Sequence, residues 1–209
     1  RASTAQANGW FDWEMFPIEI PQRRGDPIHF HSDEGVRSNT TSESLAGLRP
    51  VFKKNGQVTA GNASTLNDGA SAVLLADAAF AQQQGWEILG YVEDYVTSGV
   101  EPARVMSAPI TAVEMLLERN ELGVLDVDVY EHNEAFASAS CSVAQELNIP
   151  EDRFNLHGGA VSLGHPLGAS GTRCLITMLG VMRRLESSSG IVTLCLGGGN
   201  AVAMLVRRA

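Results

Sequence analysis

Gly158-Gly159-Ala160-Val161-Ser162-Leu163-Gly164-His165-Pro166-Leu167-Gly168-Ala169-Ser170-Gly171 sets a histidine between a glycine-rich turn and a proline able to open a helix. Downstream, Cys195 stands near the end of the apolar strand candidate 191–196, against Gly197, Gly198 and Gly199. The first stretch presents an imidazole where backbone bulk is absent. The second presents a thiol beside a turn that leaves backbone N–H groups free. Together they suit thiol and imidazole chemistry on an acyl group.

Working outward, residues 166–185 read as a helix, and 191–195 with 201–206 as a closing hairpin. Upstream, 134–147 is a helix, 124–130 a strand, 110–119 a helix and 86–96 a strand. Residues 77–84 form a helix stopped by Gly85, and 70–75 a short apolar strand. Before that, 18–52 is polar and rich in Pro, Gly and scattered charge, so loops with short strands are expected there, after a helix-compatible run at 2–8. Strands alternating with helices and ending in a hairpin predict an α/β fold, a mixed sheet covered by helices.

The 209 residues, 44% hydrophobic and 19% charged, describe an ordinary globular chain. A formal net charge of -9 argues against nucleic acid or an anionic membrane as the main partner, since both reward clustered Lys and Arg. No apolar run approaches the roughly twenty residues of a membrane helix, so the chain reads as soluble. Three cysteines without C-x-x-C spacing favour a reducing compartment, the cytoplasm or an organelle matrix. The chain opens on Arg1 rather than Met, and its first stretch reads as the end of something longer.

Each suggestive residue also has a plain structural role. Asn133, between a strand and a helix, is a natural N-cap; His165 can shape the start of a helix, and Cys195 can be a small buried hydrophobe. Cys141 and Cys174, within predicted helices, read as core thiols. Gly61-Asn62-Ala63-Ser64 lacks the spacing of a phosphate-binding loop. His29 and His31 lie two apart with no cysteine or carboxylate pattern to complete a metal site, so no metal is expected.

Four segments in order, 58–64 with Leu66-Asn67-Asp68-Gly69-Ala70, then Asn133-Glu134-Ala135-Phe136-Ala137, then 158–171, then Cys195-Leu196-Gly197-Gly198-Gly199, together resemble the thiolase family. Asp33-Glu34 through Arg37 and Leu48-Arg49-Pro50 resemble its loop region, so the likeness covers nearly the whole chain. The resemblance implies a layered αβα thiolase-like fold, with residues 1–67 as the end of the CoA-binding loop region and 68–209 as the C-terminal domain. It implies acetyl-CoA C-acyltransfer, condensing two acetyl-CoA or cleaving 3-ketoacyl-CoA with CoA. His165 would activate the nucleophilic thiol and donate to the thioester oxygen; Asn133 would fix a water beside it; Cys195 would exchange the α-proton; Gly197 N–H would share a second oxyanion hole. Ser64 matches a pantetheine contact, and Arg37, Ser44, Ala60, Leu66, Ala135 and Phe136 match positions around the same CoA, which is a substrate and not a permanently bound cofactor. The family's acyl-carrying cysteine lies in its N-terminal half and matches no position here, so the chain alone is expected to be inactive and the intact relative a dimer or tetramer. Two other readings stand beside this one. A ketoacyl synthase shares the layers but uses His with His or Asn, and a non-catalytic CoA-binding or assembly module would explain the missing nucleophile.

Overall fold

The computed structural model describes residues 1–209. Helix α1 (Ala2–Ala7) leads to a hairpin of β1 (Ile18–Ile20) and β2 (Ile28–Phe30), followed by short helices α2 (Ser42–Ala46) and α3 (Ala78–Gln83). Then come β3 (Gly90–Gly99), α4 (Ala108–Arg119), β4 (Val129–His132), α5 (Ala137–Glu146), the single turn α6 (Ala160–Leu163), α7 (Ser170–Leu185), β5 (Ser189–Leu196) and β6 (Asn200–Arg208). The last four strands make one mixed sheet in the order β3-β6-β5-β4, with β4 parallel to β5 and β6 antiparallel to both its neighbours. No helix is long and apolar enough to cross a membrane.

Strand alternation builds the layers. Tyr130, Ile191 and Leu205 join one buried cluster with α4 and α5, while their chain neighbours Val129, Val192 and Val206 join a second with α7. Successive strand residues point to opposite faces, so helices lie on both sides of the sheet and the architecture is α-β-α. In α4 the buried residues Ala108, Ala112, Val113, Leu116 and Leu117 recur at helical spacing and form the stripe that faces β3, β5 and β6. Each fully buried Leu there contributes about 1.5–3 kcal/mol by leaving water.

Three expectations need correction. Residues 70–75 form no strand: no ladder partner lies beside them, and Leu74 and Leu75 are 76% and 72% exposed. The strand expected at 124–130 starts late, because Val124–Asp126 closes a 3₁₀ turn in which the Asp126 carboxylate accepts the Gly123 N–H at 2.7 Å. Cys141 is exposed and no core thiol, since α5 turns Ala139, Ser140 and Val143 inward and leaves Cys141 on the other side.

The first fourteen residues are fastened to the body far along the chain. Arg1 donates to Phe154 O at 2.6 Å and pairs with Glu151 at 2.9 Å, and Trp10 stacks on His157 at 5.2 Å under the Arg184 guanidinium. The Trp13 indole lies so close over Gly180 of α7 that a methyl group there would overlap the ring. This contact explains a glycine in mid-helix, where it costs about 0.5–1 kcal/mol relative to alanine.

Candidate active site

Asn133 follows directly on β4, its N–H donating to Thr193 O of β5 at 3.0 Å. It does not cap α5, whose N-cap is Phe136. Its fully buried side chain instead places Nδ2 at 3.3 Å from His165 Nε2. The other imidazole nitrogen, Nδ1, lies 2.6 Å from Ser170 Oγ, and that hydroxyl spends its hydrogen on Pro166 O at 2.9 Å. Ser170 must therefore accept from Nδ1–H, which leaves Nε2 with a lone pair facing the Asn133 amide. Burial first, then the charge of Arg173, lowers the pKa of His165, so the free imidazole is a neutral base.

The backbone of His165 is fixed as well. Its N–H donates to Thr65 O at 3.1 Å and lies 3.3 Å from Asn67 Oδ1. Gly164 permits this grip: its φ is +95°, and a methyl group there would collide with the Asn67 amide. The same loop pairs with the Asn133 segment, because Ser64 N–H donates to Ala135 O and Ala137 N–H to Asn62 O, both at 2.9 Å. Ala63 and Phe136 thus form a short antiparallel bridge, and Ser64, Ala135 and Phe136 sit together beside Asn133.

The remaining expected CoA positions lie farther out. Ala60 and Leu66 are exposed, Leu66 to 90%. Ser44 is exposed and engaged in the α2 capping box with Thr41; α2 itself rests on Gly61 through Leu45, with Leu48 just beyond it. Arg37 is exposed, two residues beyond Gly35, which abuts Ser162 O of α6.

Cys195 reaches the same end of the sheet. β4 and β5 run parallel with His132 opposite Thr193, so Asn133 and Cys195 both lie beyond that pair, at the carboxyl ends of adjacent strands. Ligands in open α/β sheets bind at such ends. Cys195 is half-buried and hydrogen-bonded to neither His165 nor Asn133; burial pushes its thiol up, so it rests protonated. Gly197 is exposed, with open space beside its Cα. The residues that sequence reasoning missed are Ser170, Thr65 and Asn67, which hold His165, and the Glu131–Arg173 pair behind Asn133. Asn67 and Ser170 stand inside the motifs already quoted, and that position was the one available signal.

The family model described as "Thiolase, C-terminal domain" matches residues 86–208, and "Thiolase, N-terminal domain" matches 1–79. A probable acetyl-CoA acyltransferase of Staphylococcus aureus (strain MRSA252) is 47% identical over 208 residues, covering 100% of this chain and 53% of the relative. The crystal structure of the Bacillus anthracis acetyl-CoA acetyltransferase superposes with a TM-score of 0.96 at 38% identity, covering all of this chain and 52% of that one. Human mitochondrial 3-ketoacyl-CoA thiolase in complex with CoA gives 0.93 at 36% identity, with 100% and 51% covered. The chain spans about half the length of the curated relatives it matches. With the paired imidazole and amide at one sheet end and both family models along its length, the chain belongs to the thiolase family.

Proposed function

We propose that this chain contributes His165, Asn133, Cys195 and Gly197 to a thiolase-type site that condenses two acetyl-CoA to acetoacetyl-CoA or cleaves 3-ketoacyl-CoA with CoA. The observation that carries the reading is the 3.3 Å contact between Asn133 Nδ2 and His165 Nε2, on an imidazole whose Nδ1 is already held by Ser170. A neutral Nε2 takes the proton of an approaching nucleophilic thiol; the imidazolium then donates that hydrogen to the substrate oxygen as negative charge develops. In the condensing direction the first acyl group passes to the nucleophilic cysteine and CoA leaves as thiolate, taking the Cys195 proton; Cys195, now the thiolate, removes the α-proton of the second acyl-CoA. The carbanion attacks the acyl-thioester carbonyl, and the nucleophile leaves as thiolate. Gly197 N–H serves the oxyanion of that step, and loss of one such donor costs roughly 3–4 kcal/mol.

The acyl-carrying thiol is supplied by the family's N-terminal half. Cys174 does not replace it, since burial pushes its thiol up to about 12, and Cys141 lies exposed on α5. CoA enters as substrate along Ser64, Ala135 and Phe136, with Leu66, Ala60, Ser44 and Arg37 as its outer contacts. Residues 1–67 act as the end of the CoA-binding loop region and 68–209 as the C-terminal domain. The experiment is acetoacetyl-CoA cleavage by the purified chain, alone and joined to the N-terminal half of the Staphylococcus aureus relative. The expected outcome is no turnover alone and clear turnover when joined. Turnover by the chain alone overturns the division of labour. CoA binding without turnover in the joined form favours the non-catalytic module.

A further inference from the structure

Strand alternation places Val129, Glu131 and Asn133 on the sheet face that α7 covers, with Tyr130 and His132 on the other. On α7, residues 170, 173, 174 and 177 form one stripe, spaced i, i+3, i+4 and i+7. Every member of that stripe meets something that bears on the Asn133–His165 pair. Ser170 holds His165 Nδ1 at 2.6 Å. Arg173 Nη1 donates to the fully buried Glu131 at 3.0 Å, and Arg173 Nη2 donates to Cys174 Sγ at 2.9 Å. The Cys174 thiol, kept protonated by burial, donates to Asn133 Oδ1 at 3.8 Å. Thr177 Oγ1 accepts from Arg173 Nη1 and donates to Glu14, both at 3.4 Å.

We infer that Arg173 is a positioning residue for the site: tied to Glu131, it sets the Cys174 thiol, which turns the Asn133 amide so that Nδ2 faces His165. Asn133 has two amide orientations that differ by a half-turn. With Oδ1 toward Cys174, Nδ2–H meets the Nε2 lone pair and His165 keeps its proton on Nδ1, donating to Ser170. With the amide reversed, Oδ1 faces Nε2 and favours the other tautomer, which leaves Nδ1 as a second acceptor against a hydroxyl already committed to Pro166 O. Arg173 thereby selects the protonation pattern in which Nε2 can act as a base. Its positive charge works in the same direction, since it lowers the pKa of His165.

The catalytic consequence rests on the thiolase reading, whereas the tautomer does not. The test therefore measures both, in the whole chain and in the same chain joined to the Staphylococcus aureus N-terminal half. Imidazole nitrogen shifts of ¹⁵N-histidine-labelled protein report the His165 tautomer, and steady-state cleavage of acetoacetyl-CoA reports kcat and KM. The key variant is Arg173→Met with Glu131→Gln, because removing both charges leaves neither member of the ion pair buried without its partner. We expect the wild type to show a single Nδ1–H tautomer and the double variant a mixture. In the joined protein, kcat falls on the order of tenfold while KM stays within about threefold. Arg173→Lys, which keeps the charge near Glu131, recovers most of the loss. A double variant that melts like the wild type, holds the single Nδ1–H tautomer and keeps its kcat overturns the inference. Should the double variant not fold, Cys174→Ala removes only the relaying thiol, and an unchanged tautomer there overturns it equally. Absence of turnover by the wild-type joined protein sinks the thiolase reading, and the tautomer still decides the positioning.

Discussion

In the proposed site Cys195 and His165 would divide the proton transfers between them, and one substitution at each separates those roles. In the joined enzyme, Cys195→Ser keeps nearly the same shape but replaces the thiol by a far weaker acid, so α-proton exchange falls on the order of a hundredfold or more. Acylation of the nucleophilic cysteine is little affected, whereas His165→Ala impairs both steps. Trapped acyl-enzyme by mass spectrometry and deuterium uptake into acetyl-CoA follow the two separately; equal losses in Cys195→Ser would make that residue structural. His132 sets a different limit. It is fully buried, its Nδ1 lies 2.7 Å from Ser140 Oγ, its Nε2 has no partner, and burial lowers its pKa from 6.5 to about 4. The unfolded chain therefore binds this proton first, and folding stability falls as pH drops from 6.5 to about 4, by roughly 3 kcal/mol for this group. Denaturant melts across that range should show a steeper acid loss in the wild type than in His132→Gln. His165 and Cys195 were legible because they stand beside runs of glycine, and Asn133 because the segment Asn133-Glu134-Ala135-Phe136-Ala137 carries part of the family resemblance. Ser170, Asn67 and Arg173 were not, because their partners exist only once α7 lies on β4 and the residue-67 loop has folded back across 98 positions to His165.

Helix α4, the β5–β6 hairpin and the second half of α7, which buries Met178, Val181 and Met182, follow their hydrophobic spacing, whereas the first half of α7 turns Ser170 and Thr177 inward. β4 does not follow such spacing: Glu131 and His132 are ionisable, yet both are fully buried. Glu131 Oε1 and His132 Nδ1 find their partners in Arg173 of α7 and Ser140 of α5, elements no local window contains. The turn between α6 and α7 gives a sharper test at the level of elements. Gly164→Ala adds a methyl group at φ +95° against Asn67, whereas Gly168→Ala adds one where nothing lies within 4 Å. The first should lower stability by about 1–3 kcal/mol and loosen the grip on His165; the second should be close to neutral. Thermal melts of the two variants side by side check the contrast.

Across the whole molecule, the α-β-α layering was legible and the state of residues 70–75 was not. Their short apolar run is that of a strand, but a strand exists only with a ladder partner, and among the strands of this chain none takes that place. Backbone amides there should exchange rapidly with deuterium in the chain alone and at least tenfold more slowly once an N-terminal half is joined. Equal exchange in both states would mean that the segment is a loop in its own right. The fastening of the first fourteen residues to positions 151–184 bears on how the protein is made. Arg1 and Glu151 are 150 positions apart, and at about 5–20 residues per second a ribosome needs roughly eight to thirty seconds to span that distance. For that interval the residues that pack against Trp10, Phe11 and Trp13 in the finished fold have not yet been made, so this corner of the molecule closes only near the end of synthesis.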